Sequence, residues 1–252
     1  MLYTEVTFCI AAILASVAVG LSKGGLPVIG MMGVPLLSLV TSPIEAAGIL
    51  LPIYVITDMF GLWFYRHEYD SRNLKILIPA AILGVGVGWA TAFVVSDASV
   101  TLLVGLIGLA FCVNNWLRWD TATSPRSADV PRGVLWGMVS GFTSFVSHSG
   151  GPPYQVYVLP QRLDKIIYAG TTTILFAIVN AAKLIPYWAL GQLSLSNIKI
   201  ASVLVPAGVA ATLAGVKLVR VVPERIFFAV VEAGLFLVSL KLTYDGAIGI
   251  LG

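Results

Sequence analysis

Polar residues along this chain fall into short, widely spaced groups, with long apolar stretches between them. The stretches cover about 5–22, 44–65, 74–95, 98–118, 132–148, 165–188, 198–219 and 225–243. Each is close to the roughly 17–25 residues that an α-helix needs to cross a hydrocarbon core, so the pattern predicts a succession of membrane-spanning helices. Two shorter stretches, 24–40 and 150–160, each open on a Gly-Gly pair. At 1.5 Å per residue the second reaches only about 17 Å as a helix, which predicts half of a broken crossing or a re-entrant piece. The first stretch is expected to stay in the mature protein, because its leading residues carry Glu5 and no Lys or Arg, unlike a signal peptide.

Composition strengthens this picture. Of the 252 residues, 58% are hydrophobic and only 11% charged, and the mean hydropathy is +0.94. A soluble domain carries roughly 25% charged residues to face water, so the outer surface of this chain must face lipid. The formal net charge of +3 and the lack of a basic run exclude nucleic-acid binding. Disorder and a secreted disulfide scaffold are excluded by the same numbers. Cys9 and Cys112 lie in apolar stretches without metal-ligand spacing and read as bland core or lipid-facing residues. No residue pattern calls for a metal or a cofactor.

The chain repeats itself at an offset near 126. Lys23-Gly24-Gly25-Leu26-Pro27 aligns with Ser149-Gly150-Gly151-Pro152-Pro153. Further along, Gly48 matches Gly170, Asp58 matches Asn180, Tyr65 matches Tyr187, Asn73 matches Asn197, Pro79 matches Pro206 and Gly88 matches Gly215. The fixed order of these matches predicts a first transmembrane repeat over 1–118, a polar cytoplasmic linker over 119–131 and a second repeat over 132–252. Charge distinguishes the halves. Arg66, Arg72 and Lys75 follow one apolar stretch, and the corresponding loop near 189–197 has no Lys or Arg. Conversely, the loop at 96–99 has none, whereas its counterpart holds Lys217, Arg220 and Arg225; the turn at 41–44 has none, whereas its counterpart holds Arg162 and Lys165. Cytoplasmic loops collect Lys and Arg, so corresponding loops are expected on opposite sides, as in inverted repeats with an odd number of crossings each. The expected fold is therefore all-α: a polytopic helical membrane protein of two inverted repeats, with broken or short helices at the Gly-Gly motifs. Five crossings per half leave both termini periplasmic.

A Gly-Gly break at membrane depth survives only inside protein or along a wet cavity, since lipid cannot satisfy exposed backbone. Ser22 and Ser149 are candidate helix caps, and Pro27 and Pro153 suit a first turn. Free N–H groups at such a start favour an anion. The candidate substrate-binding residues are Lys23, Gly24, Gly25, Ser147, His148, Ser149, Gly150, Gly151, Asn180 and Lys183, which combine backbone donors, side-chain donors and cations. The bland alternatives are close helix packing at the glycines and a Lys23 that snorkels to the headgroups. Asp58, Lys183 and Glu232 are ionisable groups within apolar stretches, where burial is expensive and a partner is needed. An Asp58–Lys183 pair is expected, and Asp58, His148 and Glu232 are the candidates for carrying a coupling proton. Glu45 is read as structural or interfacial.

The run Gly20-Leu-Ser-Lys-Gly-Gly-Leu-Pro27, followed by Pro35, resembles the first half of the TauE/SafE family of sulfite and sulfonate exporters. Ser140-Gly-Phe-Thr-Ser-Phe-Val-Ser-His-Ser-Gly-Gly-Pro-Pro153 resembles that family's repeated signature. The similarity continues through Ala169-Gly-Thr171, Asn180, Lys183 and Gly191 and covers essentially the whole chain. One departure is Ser22-Lys23-Gly24-Gly25, where the family often has a longer glycine run. The resemblance implies a transporter of the bacterial inner membrane for small sulfur-containing anions, with Gly24, Gly25, Gly150 and Gly151 at the site and His148, Asn180 and Lys183 beside them.

The expected function is export of sulfite, sulfoacetate or similar sulfonates by alternating access. An interior-negative potential favours efflux of each negative charge by about 2.3 kcal/mol per 100 mV. An anion channel and proton-coupled uptake are the alternatives, and self-association is left open. An enzyme is disfavoured: Ser147, His148 and Ser149 are adjacent and do not face one another, no Gly-x-Ser-x-Gly elbow is present, and Asp58 has no second deep Asp beside it.

Overall fold

The computed structural model describes residues 2–94, 96–117, 125–191 and 193–251. Every regular element among them is helical: α1 (Leu2–Lys23), α2 (Pro27–Gly30), α3 (Gly33–Leu37), α4 (Pro43–Tyr65), α5 (Ser71–Ala90), α6 (Asp97–Leu117), α7 (Val130–Ser147), α8 (Gly151–Val158) with a 3-10 turn at Leu159–Gln161, α9 (Lys165–Ala189), α10 (Leu195–Val221) and α11 (Glu224–Leu251). Seven of these, α1, α4, α5, α6, α9, α10 and α11, are long and apolar enough to cross a membrane. The chain is a multi-pass helical membrane protein.

Local chemistry explains the boundaries. Ser42, Asp70, Asp129 and Ser194 cap α4, α5, α7 and α10, each accepting from the backbone N–H three residues on, of Glu45, Asn73, Arg132 and Asn197. Such a cap satisfies one of the donors that a helix start leaves without a partner. Two starts differ from the sequence expectation. Ser22 Oγ donates to Val19 O at 2.7 Å and Ser149 Oγ to Ser147 O at 3.0 Å, so neither caps a helix. The start of α8 is capped by Gly150 with no side-chain bond. The apolar stretch 24–40 is not one half-helix either, but two short ones, α2 and α3. At the other end of the chain α11 runs on to Leu251, beyond the expected 243, because the polar Asp245 is ion-paired with Lys241 one turn earlier.

The helices form two compact units. One comprises 1–69 and 169–223, and so contains α1 to α4 with α9 and α10; the other comprises 70–168 and 224–252, with α5 to α8 and α11. Each unit therefore combines segments from both of the predicted halves of the chain. The predicted linker at 119–131 lies partly outside the described residues; its described end carries the Asp129 cap of α7 and a backbone bond from Arg126 N to Pro160 O at 3.0 Å.

In the first unit α1 packs on α10 through glycines. A Cβ on Gly20 would lie 2.0 Å from Gly208 O, and one on Gly24 would lie 2.6 Å from Gly215 Cα. In the second unit α7 packs on α5 in the same manner, with Gly141 against Ala81 O at 2.0 Å and Gly84 against Met138 O at 2.1 Å. Small residues let membrane helices approach closely enough for van der Waals contact, which replaces the hydrophobic drive that lipid cannot supply. Many large apolar side chains, among them Ile10, Leu14, Met59, Trp63, Leu83, Leu103, Leu237 and Leu240, are exposed. The interior combines apolar groups such as Leu37, Ile49, Leu50 and Ile53 with polar and charged ones such as Ser16, Thr57, Asp58, Thr172 and Asn180.

Candidate functional site

Three charged side chains are buried among the described residues, Lys23, Asp58 and Lys183, and all belong to the first unit. Lys23 is the last residue of α1, where the helix dipole favours a cation. It is only 4% exposed, and its Nζ meets Asp58 Oδ1 of α4 at 2.7 Å. Asn180 of α9 donates from Nδ2 to Asp58 Oδ2 at 2.9 Å. Both carboxylate oxygens are thus engaged, one by a cation and one by an amide. The Lys23 ammonium also stands 5.1 Å from the centre of the Tyr54 ring, within the range of a cation–π attraction.

Lys183, 1% exposed, lies one turn beyond Asn180 on α9. The ion contact of Asp58 differs from the sequence expectation: it is made by Lys23, while Lys183 is buried in the same unit. Lys23 is not a snorkelling residue. Its short path to Asp58 places it in the protein interior, so it no longer counts among the charges that report on the cytoplasmic face.

The Gly-Gly pair after Lys23 has two distinct roles. Gly24 provides the close contact with Gly215 described above. Gly25 has φ +107°, and a Cβ there would sit 2.5 Å from the Tyr65 hydroxyl; that hydroxyl donates to Gly24 O at 2.7 Å. Tyr54 OH likewise donates to Gly30 O at 2.9 Å. Two tyrosines of α4 thus satisfy carbonyls freed by the break between α1 and α3, as a non-helical backbone at membrane depth requires.

The second break belongs to the other unit. α7 ends on Ser147, and His148 takes a left-handed conformation at φ 53°. Thr143 Oγ1 donates to Ser149 O at 3.2 Å, and Ser140 Oγ donates to Gly150 O at 2.7 Å. Here hydroxyls of α7 do what the tyrosines do at the first break. Pro152 and Pro153 occupy the second and third positions of α8, so of its first three residues only Gly151 has an N–H. The start of α8 is consequently a poorer anion site by its backbone alone than the sequence expectation supposed.

Among the residues that pattern reading passed over, Gln155 stands out. It lies in the middle of α8, is fully buried, and neither Oε1 nor Nε2 has a hydrogen-bond partner among the described residues. Its signal was a carboxamide in an otherwise apolar short segment. Asn73 and Gln161, also in this unit, pair reciprocally at 2.9 and 3.1 Å. Glu232, a candidate for proton coupling, is a half-buried residue of α11 and belongs to the unit without the charge cluster. Glu45 sits in the capped first turn of α4, bonded by Thr41 Oγ1. Among the described residues no set of His, Cys, Asp and Glu side chains is grouped as a metal site would need.

Many membrane-crossing helices, interrupted twice, with charge buried beside an interruption, define a class of protein: a polytopic membrane transporter, since lipid-exposed scaffolds do not keep costly interior charge without use for it. The model of the sulfite exporter TauE/SafE family matches residues 9–242. The chain belongs to that family of membrane transporters. No curated protein and no solved structure matches it.

Proposed function

We propose that this protein is a secondary transporter of the bacterial inner membrane that exports small sulfur-containing anions, such as sulfite, sulfoacetate or other sulfonates, by alternating access. The observation that carries this reading is the charge cluster beside the Gly24-Gly25 break. Lys23, Asp58 and Lys183 are buried in one unit, and ionisable groups kept at membrane depth mark the path of a substrate or ion. Family membership supports a sulfur oxyanion as that substrate.

In this reading Lys183 and Lys23 attract the anion, Asp58 and Asn180 hold Lys23 in place, and Gly24 and Gly25 let the break pack closely against Gly215 and Tyr65. Ser147, His148, Ser149, Gly150 and Gly151 are the corresponding candidate contacts in the other unit. The equivalent packing of α1 on α10 and of α7 on α5 supports a repeat whose halves exchange helices, the architecture from which alternating access is built. Export needs no coupling ion, because the interior-negative potential favours the outward passage of an anion.

The test is flux from purified protein in liposomes loaded with sulfite, sulfoacetate or taurine, with and without an imposed potential and then with a pH gradient. Saturable efflux of a sulfur anion that accelerates with an interior-negative potential is the expected result. Non-saturating conductance would instead identify a channel, and movement only under a pH gradient would identify a proton-coupled carrier. No flux of any sulfur anion would overturn the reading.

A further inference from the structure

Gln155 lies one turn into α8, just beyond the second Gly-Gly break, and is fully buried, yet neither Oε1 nor Nε2 has a hydrogen-bond partner among the described residues. Burying an amide without such partners destabilises a protein, so a native interior keeps one where an occupant completes it. A second polar group borders the same side of the helix. Pro152 is three residues before Gln155 and therefore its neighbour on the surface of α8. It meets α6 at Gly108 together with Ser239 of α11: a Cβ at Gly108 would lie 2.0 Å from Ser239 Oγ and 3.6 Å from Pro152 Cβ. Ser239 is also fully buried, and its hydroxyl has no partner among the described residues. Two unpartnered hydrogen-bonding groups thus adjoin one side of α8, where Pro152 and Pro153 offer no backbone N–H.

The amide narrows the chemistry of that occupant. Nε2 offers two donors and Oε1 accepts, and both ends are without partners. A plain alkanesulfonate carries acceptors only, so it would engage Nε2 and leave Oε1 unsatisfied. A sulfur anion that also bears a hydroxyl, such as hydrogensulfite or a hydroxyalkanesulfonate, satisfies both ends. We propose that Gln155 is a specificity-determining contact for the transported anion at the second break, selecting sulfur anions that carry a hydrogen-bond donor, with the Ser239 hydroxyl as a further donor beside it. The inference rests on the reading that a sulfur anion is the substrate and comes to this break. Full burial of the contact suits a carrier, which closes its binding site to both sides between its open forms.

Isethionate and ethanesulfonate provide the test, since they are monoanions of the same carbon skeleton that differ only in a hydroxyl. Their binding to the purified full-length protein is read from ligand-induced shifts in thermal unfolding, which follow affinity. The unaltered protein is expected to bind isethionate about tenfold more tightly, the order that arises when an analogue leaves a buried acceptor unpaired. Gln155→Met keeps an unbranched chain of similar size and should bring the two affinities to within about twofold, the hydroxyl having lost its partner. The same variant, without ligand, should unfold at an equal or higher temperature, because an unpartnered amide has given way to an apolar group. An amide that is satisfied by water, or that serves packing alone, would leave the preference unchanged in Gln155→Met. That result would overturn the inference, and so would equal binding of the two sulfonates by the unaltered protein, which needs no variant to fold. If neither sulfonate shifts unfolding while sulfite is still transported, the inference falls and the functional reading stands; absence of both binding and flux overturns that reading as well.

Discussion

At the scale of single residues the interior is governed by the cost of buried charge. Removing one partner of a buried ion pair leaves the other uncompensated, typically at about 3–5 kcal/mol, whereas replacing both with neutral groups of similar size is often tolerated. Lys23→Met is therefore expected to destabilise the protein by about that amount, by stranding Asp58. Adding Asp58→Asn should restore most of the stability without restoring transport. Thermal unfolding and flux on the two variants check this; equal stability of the single and double variants would show that the pair is not strongly coupled. The exposed pair Arg220–Glu68, in which Arg220 Nη2 donates to both carboxylate oxygens at 2.9 and 3.1 Å, is the contrasting case. Water and salt screen it, so Glu68→Gln should cost only about 0.2–1 kcal/mol. Sequence reading recognised Lys23, Asp58, Asn180 and Lys183 individually, because a polar group in an apolar stretch is conspicuous. It did not pair them correctly, since the repeat suggested Lys183 for Asp58 whereas helix geometry brings Lys23 there. Gln155 was missed because an uncharged carboxamide hardly disturbs the hydropathy of its segment.

At the scale of elements, small residues decide which helices touch. A side chain at Gly141 would meet the backbone of Ala81 at 2.0 Å, and backbone cannot yield as a flexible side chain does. Gly141→Leu is expected to cost about 1–3 kcal/mol or more and to separate α7 from α5. Gly86, for which an added Cβ meets nothing within 4 Å, should accept alanine without loss. A difference in unfolding temperature between these two variants is the check, and similar values would remove close packing as the reason for the glycines of α5 and α7. The caps behave in a graded way: Asp70→Ala should destabilise by about 1 kcal/mol through the lost bond to Asn73 N. Helix existence was legible from hydropathy, and most boundaries fall within a few residues of expectation. The exceptions have local causes. Stretch 24–40 divides into α2 and α3 although it is apolar, and α11 continues past 243 because Lys241 and Asp245 neutralise one another.

At the scale of the whole molecule, the asymmetry of Lys and Arg predicts a topology in which the loop near 66–75 is cytoplasmic and that near 96–99 periplasmic. In a background with Cys9 and Cys112 replaced by serine, His67→Cys and Asp97→Cys place a thiol at two exposed positions. A membrane-impermeant thiol reagent, added to cells whose outer membrane is permeabilised and whose inner membrane is intact, should label Asp97→Cys and spare His67→Cys. The reverse pattern would overturn the assigned orientation. Arg66, Arg72, Lys75, Arg162, Lys165, Lys217 and Arg225 carry the bias behind this expectation, and it does not depend on Lys23, which is buried against Asp58.

The sequence by itself determined that this chain lies in a membrane, roughly where its long helices run, where its two Gly-Gly breaks fall and which ionisable groups are costly; it counted eight long stretches as crossings, whereas seven helices are long and apolar enough and α7 is not among them. These follow from short windows of chain, because hydropathy, helix starts and Gly-Gly breaks depend on neighbours within about twenty residues. Only the tertiary structure decided that each compact unit takes helices from both predicted halves of the chain, that α1 meets α10 and α7 meets α5, and that Asp58 answers to Lys23 and to Asn180, which is 122 positions away. Those choices depend on which helix surfaces are small enough to approach and on which charges then come within reach, and both are properties of the packed helices rather than of any one stretch of sequence.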